Sequence, residues 1–467
     1  MTDQTIRIAE PRVDLPFDGA WRSTDPLGFP GYLPPATSDE SIRAGIVHAP
    51  LGDYVLIECD FHRMGGTMGV VAGESTAAAF LRAADLRLPV AAIISSGGAR
   101  LQEGVLALMQ MGRTTEAVAV HRRAGLRSAA AFRSPSTGGV FASWGNAVDM
   151  RAVAPGAVIG FGGPRVVEVV TGERPDATSH NAEAAYHDGN VDALVPEEQQ
   201  QEWLECAIGV RHAPEPLRLA RPTAPRPSAT PWEAVLAVRT AEHPSGMDWV
   251  SWLADEWMEL RGAGRCFRAG IARIGGIETA VVAMQRDKTG RRNAGPVPAD
   301  FRLAQRTIRL ADRVGLPVLT VIDTPGADPS PASETEGLAR EISHTLVALS
   351  DLSTPSVGLC VGEGGSGGAM GLAWTDTLLL SEGSVFSVIG PEPGAAVLYR
   401  DAARAPELAT AFRLRAEDVV ATGFADAIVP NDVDATRAAV VDALRLENAG
   451  RRVVRADAAS RAAMRIG

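Results

Sequence analysis

The chain has 467 residues, 46% of them hydrophobic and 22% charged, the balance of a soluble globular protein with room for two or three domains. Its net charge of −11 argues against a nucleic-acid partner, which would need a basic face, but not against a small anionic substrate met by a local basic patch. The four cysteines, Cys59, Cys206, Cys266 and Cys360, form no CxxC pair, which excludes a zinc-ribbon signature or a disulfide framework and predicts that the chain binds no metal.

The residues after Met1 lack the basic start and apolar run of a leader peptide, and no apolar stretch reaches bilayer length. A cytoplasmic protein without a membrane partner is expected. Moving along the chain, Val90–Ile94 reads as a buried strand that ends in Ser95-Ser96-Gly97-Gly98-Ala99. Leu101, Val105, Leu108, Met109 and Gly112 then fall on one helical face. Next come Pro135-Ser136-Thr137-Gly138-Gly139-Val140, with a helix expected after the glycines, Val158-Ile159-Gly160 with Gly163-Pro164, and Gly189 to Pro196. Six prolines, at 214, 216, 222, 225, 227 and 231, then forbid a helix interior or a central strand. Residues 214–231 are predicted to be a semi-rigid linker between domains at 1–213 and 232–467.

Beyond the linker the series returns. Val318–Ile322 runs into Asp323-Thr324-Pro325-Gly326-Ala327, followed by Gly364-Gly365-Ser366-Gly367-Gly368-Ala369, by Val388-Ile389-Gly390-Pro391, and by Gly423 to Pro430. The offsets are 228 from Gly98 to Gly326, 229 from Gly138 to Gly367, 227 from Gly163 to Gly390 and 234 from Gly189 to Gly423. Recurring glycine turns explain one such pair in any α/β protein, but not four in order at nearly constant offset. The expected fold is α/β with largely parallel strands, in which Gly138 of the first copy superposes on Gly367 of the second.

A glycine pair between a strand and a helix lets a ligand approach backbone N–H groups where the helix dipole favours negative charge. It is a candidate oxyanion site, and two copies suit a reaction with two developing oxyanions. For a single pair, close packing of helix on strand is the better reading. Gly364-Gly365-Ser366-Gly367-Gly368 also fits a nucleophile elbow, but no His follows Ser366, so a serine hydrolase is rejected and Ser366 is read as a turn residue. Glu103 and Glu363 lie near the turns as a hydratase would need, and are read first as structural.

Ile94 to Gly104 with Met109-Gln110-Met111 resembles the β subunit of bacterial acetyl-CoA carboxylase carboxyltransferase. So do Met64 to Gly69, Ser136 to Gly139, and Ile159 to Arg165. Ile322 to Ala327, Gly362 to Ala369 and Val388 to Glu392 resemble its α subunit. The likeness spans roughly residues 24 to 435 and implies two tandem crotonase-like (ClpP/crotonase-type) domains in one polypeptide. It lacks the four-cysteine zinc ribbon that the β subunit usually carries before this region, since no Cys precedes Cys59.

The resemblance implies transfer of a carboxyl group from carboxybiotin on a separate carrier protein to the α-carbon of an acyl-CoA, above all acetyl-CoA giving malonyl-CoA. It places Gly138 and Gly139 at the oxyanion hole for the thioester enolate, and Gly367 and Gly368 at that for the biotin ureido oxygen. Biotin itself then takes the α-proton, so no side-chain base is required. Gly97, Gly98, Arg100 and Arg165 are expected at the acyl-CoA and Gly364 and Gly365 at biotin. Arg286, Lys288, Arg291 and Arg292 are expected at the CoA phosphates, against the plainer reading of a solvated basic loop. The chain has no biotin-accepting Met-Lys-Met segment and no ATP-grasp-like region, so a biotin carboxylase and a biotin carrier protein are implied partners. A homodimer or higher homo-oligomer is implied as well. The competing functions are a malonyl-thioester decarboxylase using the same enolate site and a catalytically silent carboxylase scaffold.

Overall fold

Every residue of Val90–Ser96 and of Val318–Thr324 is buried, as a strand covered on both faces requires. That is why both runs carry apolar residues on both faces instead of alternating. A computed structural model describes residues 13–14, 21–216, 228–285, 295–446 and 449–464. The chain forms two compact units, Met1–Ala213 and Pro214–Gly467. Among the described residues no helix is long and apolar enough to cross a membrane.

The first unit has strands β1 (Val13–Asp14), β2 (Ile42–Ala49), β3 (Gly52–Cys59), β4 (Val90–Ser96), β5 (Ser128–Thr137), β6 (Met150–Val153), β7 (Ile159–Gly160) and β8 (Ala193–Leu194). Their order in the sheet is β1-β2-β3-β4-β5-β6-β8, with β7 pairing on β5. From β3 onward all pairings are parallel. The second unit has β9 (Glu256–Leu260), β10 (Phe267–Ile274), β11 (Ile277–Met284), β12 (Val318–Thr324), β13 (Ser356–Gly365), β14 (Thr377–Ser381), β15 (Val385–Ser387) and β16 (Ala427–Val429). Their order is β16-β14-β13-β12-β11-β10-β9, with β15 on β13. Each unit carries its own apolar core.

The long strands β5 and β13 position the turns. β5 pairs with β6 through Phe132 and then with β7 at Ser136 and Thr137. β13 pairs with β14 through Cys360 and then with β15 from Glu363 to Gly365. In each unit the strand changes partner and continues past the sheet edge to the glycines.

The duplication reaches the hydrogen bonds. Ser128 N donates to Asp149 Oδ2 at 3.0 Å, and Ser356 N to Asp376 Oδ2 at 3.1 Å. Arg151 N donates to Asp192 and Leu378 N to Asp426, both at 2.8 Å. Register also corrects one expectation. Val90 faces Ser128 and Ser96 faces Ser136; Val318 faces Ser356 and Thr324 faces Gly364, a uniform offset of 228. Gly138 therefore corresponds to Ser366, and Gly139 to Gly367. Both helix-opening residues have positive φ, 70° at Gly138 and 57° at Ser366. A serine fills the left-handed position glycine holds in the first copy, so the two Gly-Gly strings match one residue out of register.

A second expectation also changes. Leu101, Val105, Leu108, Met109 and Gly112 share a face, but it is the exposed face of their segment. Helix Gly104–Arg123 buries Ala107, Gln110, Thr114, Ala117, Val118 and His121 instead. It lies so close to helix Val70–Leu86 that a side chain at Gly73 would collide with Gln110.

Candidate oxyanion sites at the two glycine turns

In the first unit the turn after β4 and the helix after β5 meet. A Cβ at Gly98 would stand 3.0 Å from Gly138 Cα and 3.0 Å from Gly139 N, so only glycine allows this approach. Gly98 N donates to Ser96 Oγ at 3.0 Å and Gly97 N to Gly65 O at 2.9 Å. The bridge from Met68 to this turn uses the Gly98 carbonyl and the Arg100 N–H. It leaves the Ala99 N–H on the opposite side of the chain. Gly139 occupies the first turn of helix Gly138–Phe141, where N–H groups have no intrahelical carbonyl. Ala99 N lies 3.4 Å from where a Gly139 Cβ would be, so the two backbone segments are close neighbours. Gly138 N is occupied by Phe161 O at 2.9 Å.

The second unit keeps the hydrogen bonds of the turn but not the close approach made by Gly98, since a Cβ at Gly326 would meet only Gly365 O, at 4.0 Å. Gly326 N donates to Thr324 Oγ1 at 3.2 Å, as Gly98 does to Ser96. Asp328 N donates to Pro296 O, the counterpart of Arg100 to Met68, and so leaves the Ala327 N–H for the opposite side. Gly367 lies in the first turn of helix Ser366–Ala373, and a Cβ on it would meet nothing within 4 Å. Gly367 is exposed, whereas Gly139 is buried beneath the flexible Met111 side chain. A Cβ at Gly368 would collide with Ala327 N and with Gly326 C. Gly368 is therefore the close-approach glycine and Gly367 the open one. Ala99 and Ala327 had no place among the expected site residues; their only trace in the sequence is the shared offset of 228 inside the two turns.

Other expected contacts lie elsewhere. Arg100 is wholly buried, with Nη1 and Nη2 on Glu40 at 2.7 Å, Nη2 on Thr67 O at 2.8 Å and Nε on Thr67 Oγ1 at 3.2 Å. It braces the turn from inside, which corrects its placement at the acyl-CoA. Glu103 is equally buried, accepting from Tyr32 Oη at 2.5 Å and from Val70 N at 2.6 Å. Gly364 and Gly365 are buried, with the Phe386 ring and Pro325 O where their side chains would be, so their missing side chains make room for protein. Gly97 and Arg165 are exposed. Arg286, Lys288, Arg291 and Arg292 lie outside the described residues.

The two turns offer backbone donors and little side-chain chemistry. Glu363 is buried in β13 and held by Arg239, through Nε at 2.7 Å and Nη2 at 2.6 Å. Burial pushes the Cys59 and Cys360 thiols up to about 12, which removes them as nucleophiles at neutral pH. Among the described residues no group of three His, Cys, Asp or Glu stands ready to hold a metal ion.

The acetyl co-enzyme A carboxylase carboxyltransferase-like family model matches residues 226–455. A probable biotin-dependent acyl-coenzyme A carboxylase beta3 subunit of Mycobacterium tuberculosis is 36% identical over 417 residues, 88% of this chain and 84% of the relative. The acetyl-coenzyme A carboxylase carboxyl transferase subunits beta/alpha of Salinispora arenicola are 37% identical over 445 residues, 88% of this chain and 78% of theirs. Among solved structures, the transcarboxylase 12S hexamer with methylmalonyl-coenzyme A bound aligns with a TM-score of 0.74 at 20% identity, over 90% of this chain and 83% of that one.

Proposed function

The chain belongs to the carboxyltransferase family of biotin-dependent acyl-CoA carboxylases, with the α/β fold of two tandem crotonase-like domains, and on that premise we propose that it carboxylates acetyl-CoA to malonyl-CoA. The thioester enolate is assigned to Ala99 and Gly139 of the first unit, the β-type domain. The ureido oxygen of biotin is assigned to Ala327 and Gly367 of the second, the α-type domain. The single observation that supports this reading is the strand-to-helix turn repeated in both units, in strand registers related by a uniform offset of 228.

Enolate formation puts negative charge on the thioester oxygen. Two N–H groups already fixed by Ser96, Met68 and the Gly138 turn stabilise that charge without reorganising. In the second unit the open space at Gly367 suits a ligand arriving from outside. Carboxybiotin, when bound, supplies the activated carboxyl group. The engagement of Glu103 and Glu363 in ion pairs and hydrogen bonds accords with a mechanism that needs no side-chain base. The carrier is a separate protein recharged by a biotin carboxylase, in the cytoplasm.

The test uses Gly139→Val and Gly367→Val, since a valine at 368 would strike backbone and confound folding with catalysis. Each is expected to lower carboxyl transfer about 100- to 1000-fold, the usual effect of losing one oxyanion donor. Gly139→Val should abolish exchange of the acetyl-CoA α-proton. Gly367→Val should impair use of biotin while acetyl-CoA still binds. Near-parental transfer by both folded variants would make the glycines packing devices. Biotin-independent loss of CO2 from malonyl-CoA at the parental transfer rate would identify a decarboxylase instead.

A further inference from the structure

The two copies act as controls for each other: what both contain holds the fold, and what only one contains needs another reason. Arg239 caps the end of helix Pro231–Val238 and reaches between two segments of the second unit. Its guanidinium forks onto Glu363 at 2.7 and 2.6 Å, and its third nitrogen holds Glu392 at 2.6 Å. Glu363 is the residue of β13 just before Gly364-Gly365-Ser366-Gly367, and Glu392 stands in the first turn of helix Pro391–Tyr399. In the first unit the positions corresponding to Glu363 and Glu392, by offsets of 228 and 227, are Pro135 and Arg165. The first unit forms the same strand, turn and helix without a carboxylate at either place, so the fold itself does not demand the bridge.

The bridge is also costly to build. Glu363 is 1% exposed, and a carboxylate taken out of water needs a partner of good geometry. A guanidinium forked onto a carboxylate fixes direction as well as distance, which an ammonium does not. Glu363 N in turn donates to Asp323 Oδ1 at 3.2 Å, two residues before Pro325 on the neighbouring turn. The Arg239 side chain thus ties the end of β13 to the helix that follows β15, and the backbone of Glu363 joins that point to the strand leading into the turn that carries Ala327.

We propose that Arg239 is a positioning residue for the second unit's oxyanion site, setting the backbone from Glu363 to Gly367 against helix Pro391–Tyr399 through its bridge to Glu363 and Glu392. This rests on the reading of that turn as the biotin-side site. Arg239 touches no reacting atom; its effect passes through the placement of the Gly367 N–H, and a misplacement of about 1 Å is enough to cost about 100-fold in rate.

The experiment follows the reverse reaction, carboxyl transfer from malonyl-CoA to free biotin, in Arg239→Met, Arg239→Lys and Glu392→Gln. Arg239→Met should lower kcat/KM for biotin about 100-fold while KM for malonyl-CoA stays within about twofold. Arg239→Lys keeps the charge without the fork and should recover about one tenfold step of that loss. Glu392→Gln strands no buried charge, so it folds even where Arg239→Met does not, and should lower kcat/KM for biotin about tenfold. Parental kcat/KM for biotin in Glu392→Gln and Arg239→Lys overturns the inference, as does a parallel loss in the malonyl-CoA parameters. Gly367→Val separates the layers: if it keeps full use of biotin, the assignment of the site is wrong; if it fails while the bridge variants do not, only the role of Arg239 is wrong.

Discussion

At the scale of single residues, the first unit hangs its turn on a buried cation. Arg100 and Glu40 are 0% and 1% exposed and share two hydrogen bonds of 2.7 Å, and Glu103 adds a second carboxylate at 3.3 Å. Removing the guanidinium leaves two carboxylates in the interior without their cation. Arg100→Met is therefore expected to destabilise the protein by about 3–5 kcal/mol, read from urea denaturation of the first unit's transition. A loss below about 1 kcal/mol with normal acyl-CoA binding would mean the pair is a surface-like contact, against its burial. Nothing in the local sequence discloses this role, because Glu40 lies sixty residues upstream and Gly97-Gly98-Ala99-Arg100 reads equally well as a ligand loop. The glycines were legible for the opposite reason: positive φ and close backbone approach leave few alternatives. Ser366 escaped that logic by adopting the left-handed conformation itself, which displaced the sequence match by one residue. The N–H groups of Ala99 and Ala327 were hidden, since a backbone donor puts no constraint on its own side chain beyond size.

At the scale of elements, helix Pro298–Val314 shows how one carboxylate joins secondary structure. Asp300 Oδ1 accepts from Cys266 N and Phe267 N at 2.9 Å, and Oδ2 accepts from Val297 N at 2.8 Å, fastening the helix start to the head of β10. Burial pushes the Asp300 carboxyl from an ordinary 3.8 up to about 6, although the three N–H bonds pull the other way. The folded state then binds a proton between roughly pH 4 and 6 that the unfolded chain has released, so this group makes stability fall as pH rises through that window and level off above it. Asp300→Asn should be less stable throughout, because an amide nitrogen faces a backbone donor, but should lose that part of the slope. Urea midpoints at pH 4, 5, 6 and 7 for parent and variant give the comparison; identical slopes would assign the titration elsewhere. The strands were readable because Val90–Ile94 is an unbroken apolar run and Val318–Ile322 is interrupted only by Thr320. The orientation of helix Gly104–Arg123 was not, since its inward face is made of small and polar residues packed against Gly73 while its large apolar residues face outward.

At the scale of the whole molecule, the outward apolar residues ask what covers them. Single exposed hydrophobics need no explanation, but clusters at matching places do. In the first unit Phe161, Val166, Val169 and Val170 are exposed on and before helix Pro164–Thr171, with Val169 at 86%. In the second, Val388, Val397 and Leu398 are exposed on and before helix Pro391–Tyr399, with Val397 at 74%. By the offset of 227, Val388 corresponds to Phe161 and Val397 to Val170. Both clusters follow the short strand that flanks a glycine turn, so whatever covers them also borders a candidate site. A second copy of the chain is the simplest cover, because it brings a matching face under a closed symmetry. The parent is therefore expected to sediment as a dimer or larger at micromolar concentration. Val169→Lys with Val170→Lys should shift it toward monomer, since each buried charge opposes association while costing an exposed helix little. Circular dichroism and the thermal transition of the variant should match those of the parent, and carboxyl transfer should fall along with the fraction assembled. A parent that sediments as a fully active monomer would remove the need for a partner copy, and a monomeric variant of parental activity would show that the apolar helices border no part of the working site.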